Sequence, residues 1–309
     1  MSSVAFGSIL AATAHIMWGL FPLFWKLLDH VDPMTILAYR IVFSFMFSWP
    51  IWFIIRKAES RMKLNNSPER TGGNRTAERI TARVLLPSLI AAALISINWY
   101  TYIWSVVNGF ILDASLGYFL TPLMNLLTGI ILLGERPGIM RSISLSMGGV
   151  AILIFTFSQG RLPVISLTLA LSFGLYGYIK KRVQTSSLLG IALEMFWLLV
   201  PALYILFAQG GIDLLIDGPR IQRFLLIMAG PVTLAPLLLF ASAAKRIPMY
   251  SLGFFLYLTP VLTFALAWLV FGERKDPIEM LAFALVWIAL ILFSAGVLRE
   301  RRRTGRVLP

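Results

Sequence analysis

The chain has 309 residues, 58% of them hydrophobic and only 13% charged, with a mean hydropathy of +0.82. Soluble domains average about 45–50% apolar and about 25% charged residues, so this composition argues against a soluble protein and indicates a lipid environment. The net charge of +13 lies in short segments between apolar runs, so no nucleic-acid partner is expected. The absence of cysteine excludes disulfides and thiolate metal sites.

Ten apolar runs follow one another along the chain. A spanning helix needs about 20 residues, so these runs predict an all-α membrane protein with ten transmembrane helices. The first run lacks a basic leader and is interpreted as a mature helix. The runs are 4–27, 34–55, 84–107, 114–133, 141–158, 163–179, 188–208, 224–244, 251–271 and 278–298.

Lys and Arg are distributed unevenly between the two sides of such a bundle. If the N-terminus is cytoplasmic, twenty of the 27 basic residues fall in cytoplasmic segments and six on the other side. Most of the twenty lie in the polar loop 56–83 and in the tail 299–309. The positive-inside rule therefore predicts that both termini are cytoplasmic.

One phrase occurs twice in the chain. Residues 115–122 read SLGYFLTP and residues 251–260 read SLGFFLYLTP, and each is followed by an apolar run that ends in GER. A unit of five helices used twice predicts two halves of opposite orientation, because the first and sixth spans then cross the membrane in opposite directions. A substrate site is expected near the midplane between the halves. The predicted domains are 1–158, 159–298 and a basic tail at 299–309. The GER glycines are expected to end helices, with no chemistry assigned to the motif.

The motifs NWYTYIWSVVNG, ASLGYFLTPLMN and LGER, followed by SLGFFLYLTP and FGER, resemble the RarD branch of the EamA families in the drug/metabolite transporter superfamily. The resemblance covers nearly the whole chain. It implies a permease of small organic solutes in the bacterial inner membrane. RarD proteins are usually described in connection with chloramphenicol sensitivity, and the resemblance leaves the substrate open.

Polar residues recur in the fourth run at spacings of 3, 3, 4 and 3, which places them on one helix face. This stripe either lines a water-filled cavity or forms hydrogen bonds between packed helices. Tyr118 and Asn125 are its candidate solute-binding members. The other members are Ser115, Thr121 and Thr128.

Further candidates for solute binding lie in three other runs. Asn98, Trp99 and Tyr102 combine an amide with aromatic walls, which suits a solute with polar ends, although an interfacial aromatic belt is the alternative. Tyr257 and Thr263 occupy related places in the second half.

His15 and Trp18 lie one turn apart in the first run. His15 is a candidate lining residue and proton relay, or alternatively a hydrogen-bonding strut. Prolines such as Pro22 and Pro236 fall inside runs and favour kinks or hinges.

Arg40 and Glu194 are the charged residues deepest inside the predicted spans, and intramembrane charges indicate function. They are expected to act in gating or coupling rather than as a direct ion pair, because they lie at different depths. Candidate partners are Asp29, Asp32 and Asp113 for Arg40, and Lys181, Arg182 and Lys245 for Glu194.

The predicted function is secondary transport of a small organic solute by alternating access. No ATP-binding motif is present, so active transport would use an ion gradient, with protons as the candidate ion. The alternatives are an integral-membrane enzyme and a lipid scramblase or channel. With two histidines, no cysteine and no clustered carboxylates within the runs, no enzyme activity, cofactor or metal is expected. The substrate, transport direction and oligomeric state are not predicted.

Overall fold

A computed structural model describes residues 3–65, 82–134, 138–182, 187–244, 246–247, 255–274 and 276–304. Four of the predicted features lie partly outside these residues. They are the loop 56–83, the first GER motif, the second SLG phrase and the basic tail 299–309.

The described residues form an all-helical protein. Its helices are α1 (Ser3–Gly19), α2 (Phe21–Lys26), α3 (Pro33–Asn65), α4 (Ala82–Val107), α5 (Ile111–Leu133), α6 (Ile139–Gln159), α7 (Val164–Arg182), α8 (Ser187–Ala208), α9 (Gly211–Ile216), α10 (Arg220–Ala244), α11 (Leu258–Leu269) and α12 (Pro277–Thr304).

Eight helical segments among the described residues are long and apolar enough to cross a membrane. The first of them joins α1 and α2. Helices α7 and α11 are also apolar but shorter. At 1.5 Å per residue, the 12 residues of α11 extend about 18 Å, less than the roughly 30 Å of a bilayer core. The protein is therefore a multi-pass membrane protein, and the count of ten spans remains a prediction.

Two helices continue beyond their predicted ends. Helix α3 runs to Asn65, so the first ten residues of the expected loop 56–83 are helical, and α12 runs to Thr304 into the basic tail. Both extensions are rich in Arg, Lys and Glu, which favour helix in water as well as at the membrane surface. Hydropathy shows where a span leaves the lipid. The helix itself continues for as long as the following residues favour helical backbone.

The contacts between helices divide the chain into two compact units, each built from separate stretches of sequence. The first unit comprises residues 1–18, 27–96 and 179–255. Its centre is α3, which packs against α8 and α10. Gly230 of α10 allows this approach, because a Cβ at that position would lie 2.6 Å from the Phe43 backbone.

Polar contacts hold one end of the first unit. Asp32 caps α3, since its Oδ2 accepts the N–H groups of Met34 and Thr35 at 2.9 and 3.0 Å. The Tyr39 hydroxyl donates to the Gly211 carbonyl. At the opposite end, Trp52 packs in an apolar cluster with Leu189 and Leu193 of α8. Helices α3 and α8 therefore run antiparallel.

The second unit comprises residues 19–26, 97–178 and 256–309. Here α12 packs along α6, and α5 packs against both α6 and α11. Successive contacts also join α5 to α7. The Ser166 hydroxyl donates to the Asp113 carbonyl at 2.6 Å, and further along, Gly174 lies against Met124. Because both residue numbers rise together, α5 and α7 run parallel.

The first GER glycine ends a helix as predicted. Gly134 follows α5 with φ of 64°, and its N–H donates to the Gly129 carbonyl. A left-handed φ is strained for residues with a side chain, which explains why glycine occupies this position.

Candidate functional site

The hydroxyl groups of the predicted polar stripe on α5 bond to backbone. Thr121 donates to the Gly117 carbonyl at 3.2 Å, and Thr128 donates to the Met124 carbonyl at 2.8 Å, both within α5. Ser115 donates to the Pro260 carbonyl of α11 at 3.0 Å. These three side chains therefore serve helix structure and packing. Tyr118 and Asn125 are the members of the stripe that project their polar groups away from α5.

Asn125 is an exposed amide within the apolar span of α5, 14 residues from its start. It faces α7 at a position occupied by two glycines. A Cβ on Gly174 would lie 3.5 Å from the Asn125 Oδ1, and one on Gly177 would lie 3.8 Å away. An amide at this depth is costly in contact with lipid, so this side chain needs a polar cavity or a protein partner.

Asn98 of α4 is buried and joins α4 to α7. Its Nδ2 donates to the Leu169 carbonyl and to the Ser172 hydroxyl, both at 3.0 Å. The amide nitrogen therefore holds the two helices together. Trp99, the next residue, is half-buried.

Tyr102 and Tyr118 bring α4 and α5 together. Their rings meet edge to face, with centroids 5.5 Å apart and planes inclined at 62°. Tyr102 is buried, whereas Tyr118 is half-buried and lies about two turns before Asn125 on the same face. Helices α4 and α5 thus gather five predicted site residues beside α7, and all five lie in the second unit.

The two predicted residues of the second repeat have different surroundings. The Tyr257 hydroxyl accepts a hydrogen bond of 3.4 Å from Ser294 of α12. Thr263 of α11 is fully buried, and its hydroxyl makes no hydrogen bond to any residue that the structure describes.

His15 and Trp18 lie in the first unit within an aromatic group. The His15 ring contacts the Trp18 ring at 4.9 Å and the Phe240 ring at 5.7 Å, both edge to face. His15 is buried. Aromatic packing therefore surrounds the histidine on at least two sides.

Glu194 forms an ion pair that the sequence prediction did not name. The Lys180 Nζ lies 2.6 Å from the Glu194 Oε1, and the glutamate is 2% exposed while the lysine is 26% exposed. The expected partners Lys181, Arg182 and Lys245 have side chains outside the described part of the chain. Arg40 is buried on α3 in the same unit, and its expected carboxylate partners remain predictions.

Three contributors to these sites were missed from the sequence. The predicted run ends at 179, whereas α7 continues to Arg182, and this extra turn carries Lys180 to Glu194 of α8. Ser172 and Gly177 give no distinctive signal, because serine and glycine are ordinary residues in a transmembrane helix. The available signal was the pair Gly174 and Gly177, because residues three apart lie on the same helix face and small residues let another helix approach closely.

No cluster of three metal-binding side chains occurs among the residues that the structure describes. The polar groups of the site are amides, phenols and hydroxyls. Such groups can orient a solute by hydrogen bonds and aromatic contact.

Comparison with known proteins gives three consistent findings. The EamA-like transporter family matches residues 5–157 and 163–295. The uncharacterized transporter YojE of Bacillus subtilis is 37% identical over 96% of both chains, and protein RarD of Escherichia coli is 36% identical over 97% of both. A chloramphenicol-sensitive protein RarD of Pseudomonas aeruginosa is 28% identical, covering 97% of this chain and 98% of its own.

A solved crystal structure also resembles this chain. The TM-score is 0.53, and the match covers 93% of this chain and 97% of the other, at 16% sequence identity. At that identity, the likeness shows a shared fold alone.

Proposed function

The chain belongs to the EamA-like transporter family, in the RarD branch of the drug/metabolite transporter superfamily, and from this premise we propose that it moves a small organic solute by alternating access. The proposal includes ten spans in two inverted five-helix halves, 1–158 and 159–298. Transport is secondary, with both termini in the cytoplasm.

The observation that carries the proposal is the exposed Asn125 amide within an apolar span. It faces Gly174 and Gly177, and the Tyr102–Tyr118 pair lies on the same side of α5. Two phenols and an amide that lies opposite two glycines can contact a solute with an aromatic or apolar body and polar ends. These groups also come from both sequence halves, as a site at the repeat boundary requires.

Reconstituted protein tests this site directly. Chloramphenicol is the first probe, because its name is attached to one relative; a metabolite library is the second. Asn125→Leu is expected to abolish uptake into proteoliposomes while the protein still inserts. Thr128→Val is the matched control, since that hydroxyl bonds only to carbonyls of its own helix.

Cysteine labelling tests the same cavity without a substrate. The chain has no cysteine, so single substitutions at Tyr102, Tyr118 and Asn125 give unambiguous sites. A polar thiol reagent is expected to react at Asn125→Cys and Tyr118→Cys. If none of the three reacts, the stripe is helix packing and the solute binds elsewhere.

Coupling to protons is the second part of the proposal, with Glu194 as the proton site. Protonation of this carboxyl would release Lys180, and such an exchange of partners can link a proton to a change of conformation. Glu194→Gln is expected to permit exchange of labelled solute but to prevent accumulation driven by a pH gradient. Unaltered accumulation would assign Glu194 a structural role, and either His15 would be the proton site or the carrier would be a facilitator that uses no proton.

A further inference from the structure

The turn between α4 and α5 is the feature from which the inference begins. Helix α4 ends at Val107 in a Schellman motif, in which Gly109 has φ of 77° and the Phe110 N–H donates to the Ser105 carbonyl at 2.7 Å. The next helix starts two residues after Gly109. This tight turn fixes α4 and α5 as a hairpin, and the hairpin carries the Tyr102–Tyr118 pair.

Lys26, the last residue of α2, reaches the end of α4. Its Nζ donates to the Val107 carbonyl at 3.3 Å. That carbonyl belongs to the last turn of a helix, where no intrahelical N–H group is available. A cation at this end also complements the negative pole of the helix dipole.

Glu273, in the second GER motif, reaches the start of α5. One carboxylate oxygen accepts the Ile111 N–H at 2.9 Å and the other accepts the Leu112 N–H at 2.8 Å. Both N–H groups belong to the first turn, which lacks intrahelical acceptors. The side chain therefore caps α5 from a distant part of the sequence, with a negative charge at the positive pole.

The two charged residues sit on segments that contact each other. Helix α2 packs against α11. Just before α2, a Cβ on Gly19 would lie 2.6 Å from the Leu262 Cβ of α11. Beyond α11, Gly272 has φ of 67° and turns the chain, and the Glu273 N–H returns to the Ala267 carbonyl at 2.9 Å. Both ends of the turn are therefore held from one side of the second unit.

We propose that Lys26 and Glu273 form a two-point clamp on the α4–α5 turn, and that this clamp positions Tyr118 and Asn125 in the solute site. The GER glutamate thereby acquires a role beyond ending its own helix. The assignment of the site rests on the proposed function, whereas the clamp itself rests on the contacts of the turn.

Hydrogen exchange in the full-length protein, held in lipid nanodiscs, tests the clamp without a substrate. The amides of Ile111 and Leu112 are expected to exchange slowly. The start of α6 is the internal comparison, because its N-cap Gly138 provides no side-chain acceptor. Glu273→Ala is expected to speed exchange at residues 110–117 about tenfold or more, equivalent to about 1.4 kcal/mol.

Matched variants separate the cap from general loss of charge or fold. Glu273→Gln keeps the shape of the side chain and one acceptor oxygen, so exchange at Ile111 and Leu112 should rise to an intermediate rate. This variant replaces Glu273→Ala if the alanine variant fails to fold. Asp276→Asn removes an exposed negative charge close by and should change nothing. At the other end of the turn, Lys26→Ala should speed amide exchange in the last turn of α4. Lys26→Arg keeps a cationic donor and should leave this exchange slow.

Positioning is measured by thiol labelling. In the Glu273→Gln background, the labelling rate at Tyr118→Cys is expected to change about threefold or more, while Ser158→Cys on α6 keeps its rate. Unchanged exchange at Ile111 and Leu112 would overturn the clamp, and changed exchange with unchanged labelling at Tyr118→Cys would overturn its positioning role. If the unsubstituted protein shows the expected exchange and labelling but transports none of the probes, the proposed function fails while the clamp stands.

Discussion

The ion pair between Lys180 and Glu194 gives a sharp prediction about stability. Lys180→Met removes the cation but keeps most of the length of the side chain. It leaves a carboxylate that is 2% exposed without its partner at 2.6 Å. We expect this single change to destabilise the protein strongly, because a buried carboxylate loses the cation that lies 2.6 Å from it.

The magnitude follows from the geometry and the burial of the pair. At 2.6 Å and an effective dielectric constant near 20, the gross attraction is about 6 kcal/mol, most of which offsets the loss of hydration. Removing one member of a buried pair costs about 3–5 kcal/mol. Lys180 is 26% exposed, so water already screens part of the interaction, and we expect about 3 kcal/mol.

The assay is chemical unfolding in mixed micelles, followed by tryptophan fluorescence, on four proteins. The double variant Lys180→Met with Glu194→Gln removes both charges of the pair and should lie within about 1 kcal/mol of the original. Lys57→Met, at an exposed position on α3, is the control and should change stability by no more than about 0.5 kcal/mol. If the double variant is as unstable as Lys180→Met, the two charges are not coupled and the reasoning is refuted.

Two further predictions concern helix packing and topology. Gly117→Ala should destabilise by about 1–3 kcal/mol, because its Cβ would lie 2.9 Å from the Ser166 carbonyl oxygen, whereas Gly149→Ala meets nothing within 4 Å and should be neutral or slightly stabilising in thermal unfolding. Equal melting temperatures for the two variants would contradict close packing of α5 on α7. Reporter fusions after Arg83 and at Pro309 should be active only with a cytoplasmic reporter, and a periplasmic signal at either would contradict the inverted repeat.

Hydropathy and repetition were sufficient for the class of protein. Apolar runs of about 20 residues leave few alternatives to spanning helices, because the backbone must satisfy its own hydrogen bonds in lipid. The repeated SLG and GER phrases carried the family. Helix ends were harder, since α3 continues to Asn65 through residues that are polar yet favour helix.

Sequence periodicity could not predict which residues the side chains of the site contact. A spacing of three or four residues shows which face of α5 is polar but not what lies opposite. Thr121 and Thr128 turn back to their own helix, whereas Asn125 faces the glycines of α7. The cap that Glu273 makes on α5 joins residues 161 and 162 positions apart. No local pattern encodes such a pairing.

The interleaving of sequence within the first unit has a consequence for how the protein is made. Helix α3 finds its partners in α8 and α10, and the bond from Tyr39 to Gly211 spans 172 positions. At about 5–20 residues per second, a ribosome needs roughly 9–34 s to make that stretch. During this interval α3, with Arg40 inside its span, has none of the neighbours from residues 179–255 that complete its unit. The yield of folded protein would therefore depend on insertion machinery that holds the early helices until the later ones emerge. Slowing synthesis ahead of α8 should increase proteolysis of the nascent chain.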